Sequence, residues 1–337
     1  MGPEPGQDGP AERAAAPPAV EVRGLVKRFD KVEAVRGIDL EVRAGETFGF
    51  LGPNGAGKST TIKILCTLVD ATQGEARVAG HDVRTEREAV RRSIGLVFQE
   101  PTLDGYLTAE QNLRFHGELY GVPRAGAGAR RTEVLRMVGL LDRRDDLVQT
   151  FSGGMRRRLE IARGLLHSPQ VLFLDEPTIG LDPQTRASIW DYLGALHDRA
   201  DVTVFVTTHY MDEAEHCDRI AIMNEGRIVA LDTPDALKSA IGKDRVQIST
   251  DDDERAASVL AGSFGLEVAR HDGLLTFAVP DGAQFVPRLF AGLDVPVHSV
   301  TVTRPSLDDV FLAYTGTTIR DAESGAMSMA GLIMRGR

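Results

Sequence analysis

Short runs of almost entirely apolar residues alternate with longer amphipathic segments along the middle of the chain. Four of these runs have the length of β-strands: TFGFLG (47–52), SIGLVF (93–98), VLFLD (171–175) and VTVFVTT (202–208). Strands this uniformly apolar are typical of a mainly parallel sheet whose two faces are both covered. The pattern therefore predicts an α/β fold with these strands in its core sheet.

Polar and apolar residues alternate more regularly in three other segments. AVEVRGL (19–25) and GIDLEV (37–42) have a period of two, which favours an antiparallel flank with one wetter face. RIAIMNEGRIVALD (219–232) predicts a hairpin that turns at Asn224 to Gly226.

Helical patterns replace strands after Gln99. Thr108 and Gln111 have the spacing of a capping box ahead of NLRFHGELYG. We therefore expect a helical subdomain over about residues 100–165, inserted into a main domain that spans residues 19–243.

The C-terminal part of the chain predicts a second, smaller domain. Thr233 and Pro234 have the chemistry of an N-cap and a first helical position, so a helix is expected to close the main domain. Strand and helix patterns then follow in the order βαββαβ over residues 244–316, which is typical of a ferredoxin-like α+β sandwich. Ser306 is the expected N-cap of a last helix, whose buried face is Leu307, Val310 and Phe311.

Length and composition are those of a globular protein of about two domains, with 337 residues. A net charge of −10 argues against nucleic acid as a partner. No run approaches the ~20 apolar residues of a membrane span. Cys66 and Cys217 give no disulfide framework and are expected in the core, in a reducing cytoplasm. Residues 1–18 and 317–337 are expected to be flexible tails.

GPNGAGKST (52–60) matches the phosphate-binding pattern G-x-x-x-x-G-K-[ST] between a predicted strand and helix. Glycine backbone N–H groups can wrap phosphate oxygens, Lys58 can reach the β- and γ-phosphates, and Ser59 is placed to bind Mg²⁺. The alternative is a glycine turn that caps an ordinary helix. The residues expected at the nucleotide are Gly52, Pro53, Asn54, Gly55, Ala56, Gly57, Lys58, Ser59 and Thr60.

Polar side chains follow three of the apolar strands. Asp175 ends VLFLD and Glu176 follows it, and both should reach the carboxyl edge of the sheet, beside the phosphate loop. Asp175 is the expected Mg²⁺ ligand and Glu176 the general base for the attacking water, unless Asp-Glu-Pro is a plain turn. His209 and Gln99 follow their strands in the same way, and His209 could contact the γ-phosphate. Phe29 could stack on an adenine, or could be a core residue.

FSGGMRRRLEIA (151–162) begins a helix with three consecutive arginines, at an end that already carries partial positive charge. An anion is therefore expected there, which gives the chain a second anion site. At least two of the three arginines are expected to point to solvent or to acidic partners.

Together these segments resemble the ATP-binding cassette of ABC transporters, over residues 20 to about 240. FSGGMRRRLEIA is similar to the family's signature loop, which binds the γ-phosphate of a nucleotide held by a second copy. The resemblance implies that Ser152, Gly153 and Gly154 face the ATP of a partner in a head-to-tail homodimer. Two anion sites then occur in one chain because each completes a site in the other copy.

The resemblance implies further roles. Phe29 would stack on the adenine, Gln99 would be the Q-loop residue and a Mg²⁺ ligand, and His209 would be the switch histidine. Asp182, in GLD, would belong to the D-loop that connects the two nucleotide sites.

The sequence departs from the commonest signature at Phe151 and Met155, where the family has Leu and Gln. Methionine cannot make the hydrogen bonds of glutamine, whereas the backbone contacts of Ser-Gly-Gly do not depend on that side chain.

The segment RPSLDDVFLAYTG (304–316) and the domain before it look like the C-terminal extension of daunorubicin/doxorubicin-resistance ATP-binding proteins. The resemblance implies an ATPase subunit at the cytoplasmic face of the membrane, with ATP and Mg²⁺ as ligands. It would power efflux of a hydrophobic drug or antibiotic through a separate membrane permease, and this chain itself would not bind the cargo.

Two alternatives share part of the pattern. Soluble ABC-type ATPases of translation, iron–sulfur assembly or DNA repair would share every cassette motif. A P-loop kinase or GTP-binding switch would share only the glycine loop and would not explain Ser152 to Gly154.

Overall fold

The apolar runs form strands where the sequence predicts them, and helices occupy most of the segments between. The computed structural model describes residues 17–100, 102–199, 202–271 and 274–317, so the two predicted tails lie almost wholly outside the described residues. The strands are β1 (Val20–Phe29), β2 (Val32–Val42), β3 (Thr47–Leu51), β4 (Gln73–Val78), β5 (His81–Asp82), β6 (Ile94–Val97), β7 (Val171–Asp175), β8 (Thr203–Thr208), β9 (Arg219–Asn224), β10 (Arg227–Asp232), β11 (Asp244–Thr250), β12 (Ala269–His271), β13 (Leu274–Val279) and β14 (Val297–Thr303).

The first helix begins immediately after the phosphate-loop glycines. They are α1 (Lys58–Leu65), α2 (Arg87–Ser93), α3 (Ala109–Leu119), α4 (Arg124–Met137), α5 (Gly153–Gly164), α6 (Pro183–Arg199), α7 (Met211–Ala214), α8 (Pro234–Ile241), α9 (Asp253–Phe264), α10 (Gly282–Gly292) and α11 (Leu307–Thr315). In the described part of the chain, no helix combines the length and apolar character needed to cross a bilayer.

The strands of the described residues form three sheets. The central sheet has the order β10-β9-β3-β8-β7-β6, and a second sheet has the order β2-β1-β4-β5. Every residue of β3, β7 and β8 is buried, and β6 pairs with β7 in parallel. The predicted α/β core and antiparallel flank are therefore confirmed, although β4 was not predicted.

Contacts within the described chain divide it into two compact units. The first contains the residues up to Phe48 together with Ser59–Val206, and the second contains Gly49–Lys58 together with the residues from Thr207 onward. The division passes through β3, β8 and the phosphate loop, so the two units do not coincide with the domains expected at 19–243 and 244–316.

The local signals read from the sequence are present in the second unit. The β9–β10 hairpin turns at Glu225 and Gly226, both at positive φ, as the predicted turn requires. Thr233 caps α8 by accepting a hydrogen bond from the Ala236 N–H at 3.1 Å, and Pro234 is the first helical residue. Ser306 caps α11 and forms a capping box with Asp309.

The C-terminal strands and helices confirm the ferredoxin-like prediction. The third sheet has the order β12-β13-β11-β14, and its neighbouring strands pair antiparallel. Its core includes Val246, Ile248, Leu260, Phe277 and Leu289, each almost fully buried. The βαββαβ order thus closes one small core of its own.

Two local expectations about the first unit are confirmed. Thr108 and Gln111 form the predicted capping box of α3. Cys66 is buried and free, like Cys217 in the second unit, and burial raises the pKa of both thiols. Helix α1 ends at Leu65, shortly before Thr67, whose φ is positive.

Helix α5 lies unusually close to β6. A Cβ on Gly95 of β6 would clash with the carbonyl oxygen of Gly164, the last residue of α5, and would lie 2.9 Å from Cδ1 of Leu172. Two glycines therefore allow the backbones to approach, and this sets the distance of α5 from the strands.

We predict that Gly95→Ala lowers the free energy of unfolding by about 1–3 kcal/mol, because the clash involves backbone that cannot rotate away. The matched control is Gly194→Ala in α6, where a Cβ would meet nothing within 4 Å. This change should stabilise the protein by about 0.5–1 kcal/mol. Chemical denaturation measures both values, and equal effects of the two changes would contradict the close-approach argument.

Candidate functional site

The phosphate loop lies between β3 and α1. Lys58 is buried, and its Nζ donates to the carbonyl oxygens of Gly52 at 2.6 Å and Pro53 at 3.1 Å. Gly55 and Gly57 have positive φ, of 82° and 109°. The loop thus curls around the lysine ammonium. The ammonium makes the loop basic, and the backbone N–H groups of the loop add further donors for an anion.

Steric contacts fix the start of this loop within the second unit. A Cβ on Gly52 would clash with the carbonyl oxygen of Met223, so only glycine fits. The Gly52 N–H donates to the Thr208 carbonyl at 3.2 Å, and the Gly226 N–H donates to the Ala56 carbonyl at 2.9 Å. The loop is therefore anchored to the strand end before His209 and to the β9–β10 turn.

Ser59 and Asp175 lie together in the first unit. The Ser59 hydroxyl donates to Oδ1 of Asp175 at 3.0 Å, although 116 residues separate them. A hydroxyl and a carboxylate are hard oxygen ligands of the kind that Mg²⁺ prefers. The donor set fits the metal that the sequence predicts.

Glu176 follows β7 in a backbone conformation that is rare for a residue with a side chain. Its φ is 45°, and it is buried, with 6% of its surface exposed. Such conformations persist only where the surroundings hold them. Glu176, Gln99, Gly153 and Gly180 line one cavity of about 200 Å³ in the first unit. The fold therefore brings together residues predicted from four separate segments.

His209 lies directly after β8 in the second unit, on a segment held by buried hydrogen bonds. Thr208 Oγ1 donates to Oε2 of the buried Glu213 at 2.6 Å and accepts from the Tyr210 N–H at 3.0 Å. The rings of His209 and Tyr210 pack with centroids 4.0 Å apart. Thr208 and Glu213 were not predicted; the TTH stretch and the acidic DEAE segment after it are the only sequence signals.

Phe29 ends β1 with 45% of its surface exposed. The alternative interpretation, that it is a core residue, is therefore wrong. Lys27 Nζ lies 4.6 Å from the ring centroid, so the ring already has a cation on one face. An exposed aromatic face is what stacking on a base requires.

Ser152, Gly153 and Gly154 form the N-terminus of α5. Ser152 is exposed and is the N-cap, since its hydroxyl accepts from the Met155 N–H at 3.2 Å. The first turn of the helix contains no acidic residue. The helix start is thus positive and open, as the sequence predicts. At the two departures from the commonest signature, Phe151 is buried and Met155 is half-buried.

The expectation that at least two of the three arginines point to solvent or to acidic partners holds in part, because Arg157 pairs with the acidic Glu160 and the other two keep part of their surface exposed. Arg156 and Arg158 are half-buried, and Arg157 is buried. Arg156 donates to the Phe151 carbonyl at 2.9 Å, and Arg158 donates to the Val138 carbonyl at 3.1 Å. The long side chains fold back along the helix and satisfy carbonyl oxygens that the surrounding loops leave open.

Arg157 was missed as a candidate although it lies within the quoted signature. Its guanidinium donates to the carbonyls of Asp175, Pro177 and Phe98 and pairs with Glu160. The opposite charges of Arg157 and Glu160 at i and i+3 are the signal that could have identified the pair.

Asp182 precedes α6 and receives two hydrogen bonds from Thr185. The Thr185 N–H donates to Oδ1 at 3.0 Å and its hydroxyl to Oδ2 at 2.6 Å. These hydrogen bonds lower the pKa of the Asp182 carboxyl. The Thr185 methyl group in turn fills the space where a Cβ on Gly154 would lie. The start of α6, directly after Asp182, therefore packs on the start of α5.

Two family models match the chain. One, described as "ABC transporter", matches residues 35–179, and another, described as "ATP-binding protein DrrA1-3-like, C-terminal domain", matches residues 233–315.

Curated relatives match along most of their length. The daunorubicin/doxorubicin resistance ATP-binding protein DrrA of Streptomyces peucetius is 43% identical over 306 residues, covering 88% of this chain and 92% of that protein. The linearmycin resistance ATP-binding protein LnrL of Bacillus subtilis is 36% identical over 319 residues, covering 90% of this chain and 100% of that protein.

Solved structures match about two thirds of the chain. CbiO1 from Clostridium perfringens, part of the ABC transporter complex cbiONQ, has a TM-score of 0.62 and 28% identity, covering 66% of this chain and 91% of that one. The dimeric structure of the bacterial ABC transporter cassette MJ0796 has a TM-score of 0.58 and 27% identity, covering 64% and 98%.

We predict that Thr185→Val raises the pKa of Asp182 toward its usual range, because the variant loses the hydroxyl donor but keeps the methyl group against Gly154. NMR titration of the carboxyl measures the shift. Ser188→Ala is the matched control, since Ser188 donates only to the Gln184 carbonyl of the same helix. An unchanged Asp182 pKa in Thr185→Val would show that the hydroxyl does not stabilise the carboxylate.

Proposed function

We propose that this chain, which belongs to the ATP-binding proteins of ABC transporters, powers export of a hydrophobic drug or antibiotic. Members of this family hydrolyse ATP, and the chain is the ATPase subunit of such a transporter. The cargo class rests on its relatives, which are daunorubicin/doxorubicin and linearmycin resistance proteins. None of the reported relatives supports the alternative of a soluble ATPase without a transport role.

The observation that carries the Mg²⁺–ATP site of this proposal is the Ser59–Asp175 hydrogen bond of 3.0 Å. It supports one oxygen-ligand site at the start of α1 and the carboxyl end of β7. Ser59 and Asp175 would hold Mg²⁺ there, together with Gln99. When bound, Mg²⁺ would neutralise charge on the β- and γ-phosphates.

The residues of the phosphate loop would bind the phosphates of ATP. The backbone N–H groups of residues 52–60 would donate to the phosphate oxygens, and Lys58 would contribute a positive charge close to the β- and γ-phosphates. The exposed ring of Phe29 would stack on the adenine.

Glu176 would accept the proton of the attacking water as a general base, and His209 would contact the γ-phosphate. The rare backbone conformation of Glu176 supports its role, since strained residues cluster at functional sites. The cavity that Glu176 shares with Gln99 is large enough for several water molecules.

The second anion site supports a head-to-tail homodimer. Ser152, Gly153 and Gly154 would bind the γ-phosphate of the ATP held by a second copy, and Asp182 would connect the two sites. The open start of α5 supports this, because a positive helix end without an acidic residue attracts an anion. A dimeric cassette among the structural matches agrees with such a pairing.

A separate membrane subunit would carry the cargo. We place the contact with it at Gln99 and at the helical subdomain of residues 100–165, within a cassette of residues 19–243 at the cytoplasmic face of the membrane. Exposed apolar side chains support this surface: Phe98, Tyr106, Phe115 and Leu119. Residues 244–316 would form the accessory domain, between flexible tails at 1–18 and 317–337.

If Glu176 is the general base, Glu176→Gln should bind ATP normally but hydrolyse it about 100-fold or more slowly. The variant should accumulate as a dimer with ATP, measured by light scattering together with phosphate release. Glu225→Gln, a change at another positive-φ glutamate, is the control and should retain wild-type turnover. Wild-type hydrolysis by Glu176→Gln would rule out the assigned role.

The same trapped variant tests the transport function. Tagged Glu176→Gln protein with ATP is incubated with detergent-solubilised membranes of its own host, and the bound proteins are identified by mass spectrometry. Recovery of a stoichiometric multi-span membrane protein is expected. Recovery of ribosomal or other soluble proteins instead would leave the ATPase chemistry intact and overturn the transport function.

If the signature acts in trans, mixing Lys58→Ala and Ser152→Arg chains should restore activity that neither has alone. Each mixed dimer pairs one intact phosphate loop with one intact signature. Random pairing at an equal ratio should therefore give about a quarter of the wild-type rate. A mixture that stays inactive at every ratio, although the chains associate, would contradict the head-to-tail arrangement.

A further inference from the structure

Arg157 and Glu160 form a buried ion pair on α5, and nothing in the proposed roles of the phosphate loop or signature uses them. Arg157 Nη1 and Glu160 Oε2 lie 3.0 Å apart, and 6% and 2% of the two residues is exposed. Both project from the helix whose N-terminus is the signature. The inference below rests on the proposed function, in which Glu176 and Gln99 take part in ATP hydrolysis.

The guanidinium holds the backbone on both sides of Glu176. Arg157 Nε donates to the Pro177 carbonyl at 2.6 Å, and Nη2 donates to the Asp175 carbonyl at 3.2 Å. These carbonyls belong to the residues immediately before and after Glu176, whose φ is 45°. The planar fork of an arginine can bind both at once and so define the peptide orientations that direct the Glu176 side chain.

The same pair holds both ends of the segment that contains Gln99. Arg157 Nη1 donates to the carbonyl of Phe98, directly before Gln99. Glu160 Oε1 accepts from the Thr102 N–H at 2.8 Å, and Arg163 Nη1 donates to the Thr102 hydroxyl at 2.5 Å. Side chains of α5 therefore make hydrogen bonds with residues on both sides of Gln99.

Stability alone does not account for this pair. Burial lowers the pKa of the Arg157 guanidinium, and the nearby Glu160 carboxylate only partly opposes this effect. A buried ion pair is often replaced by apolar residues with no loss of stability. What apolar residues cannot supply is a set of directed hydrogen bonds to three chain segments at once.

We propose that Arg157, held by Glu160, is a positioning residue that aligns Glu176 and Gln99 with the signature helix. A displacement of α5 when its N-terminus docks on the nucleotide of a partner would move the Phe98, Asp175 and Pro177 carbonyls with it. The signature of one site would in this way set the hydrolytic geometry of the other site, to which its own chain contributes Glu176.

The test replaces Arg157 by lysine, which keeps the positive charge but lacks the planar guanidinium. Lysine at position 157 can still pair with Glu160, but its single nitrogen cannot reach acceptors in three segments. For full-length Arg157→Lys we expect kcat to fall about tenfold or more, because small misplacements of a catalytic group are costly. The Kd for a non-hydrolysable ATP analogue and the KM for ATP should stay close to wild type, whereas the Tm should fall by a few degrees because buried carbonyl oxygens lose their donors.

The matched control is Arg158→Lys, on the next residue of the same helix. Arg158 donates to the Val138 carbonyl and to the Tyr192 hydroxyl at 2.8 Å, and neither group adjoins Glu176 or Gln99. Its kcat should remain within about twofold of wild type, by the same positional argument.

A second variant covers the case in which Arg157→Lys fails to fold. Arg157→Met combined with Glu160→Leu removes both buried charges together, so the fold should persist while the hydrogen bonds are lost. It should show the same loss of kcat with ATP binding retained.

The outcomes separate this inference from the proposed function. Wild-type kcat in both Arg157 variants would overturn it, and so would an equal loss in Arg158→Lys or a loss explained by KM alone. Lys58→Ala is measured in parallel. If that variant is inactive and wild type is active, ATP hydrolysis at the phosphate loop stands even when the Arg157 variants overturn the positioning role.

Discussion

A buried guanidinium must find partners for its donors inside the protein, and in this chain that requirement joins the parts of the site in the first unit. Arg157 lies on α5, while its acceptors are backbone carbonyls at the ends of β6 and β7 and the carboxylate of Glu160. Leaving any of these groups unpaired in a dry interior would cost free energy. The helix that begins with the signature is therefore tied to the two strand ends that carry Gln99 and Glu176.

Close backbone packing makes that connection stiff. Gly95 and Gly164 let α5 approach β6, and Gly154 leaves room for the Thr185 methyl group at the start of α6. Side chains at these glycines would push the helix away from the strands or from the start of α6. Helix α5 is thus closely packed at both ends, and close-packed interiors have low compressibility and transmit strain.

The phosphate loop in the second unit is likewise fixed by close backbone packing and by hydrogen bonds. Gly52 fits only without a Cβ, its N–H bonds the strand end before His209, and the Lys58 ammonium is held by two carbonyls of the loop. The lysine is therefore already oriented before any phosphate arrives. Pre-orientation of this kind lowers the entropy that binding must otherwise lose.

The sequence by itself determined the elements whose causes are local. The capping box of α3, the N-caps of α8 and α11, the β9–β10 turn, the buried strands, the glycine loop and the carboxylates at the end of β7 could all be predicted, because each depends on residue types at fixed short spacings. The fates of Arg156, Arg157 and Arg158 could not, since whether an arginine is solvated or buried depends on carbonyls from distant segments. The exposure of Phe29 was likewise decided only by the tertiary structure, whereas the Ser59–Asp175 contact across 116 residues agrees with the expected position of Asp175 beside the phosphate loop. Local spacing fixes which groups a segment offers, and only packing decides which of them meet.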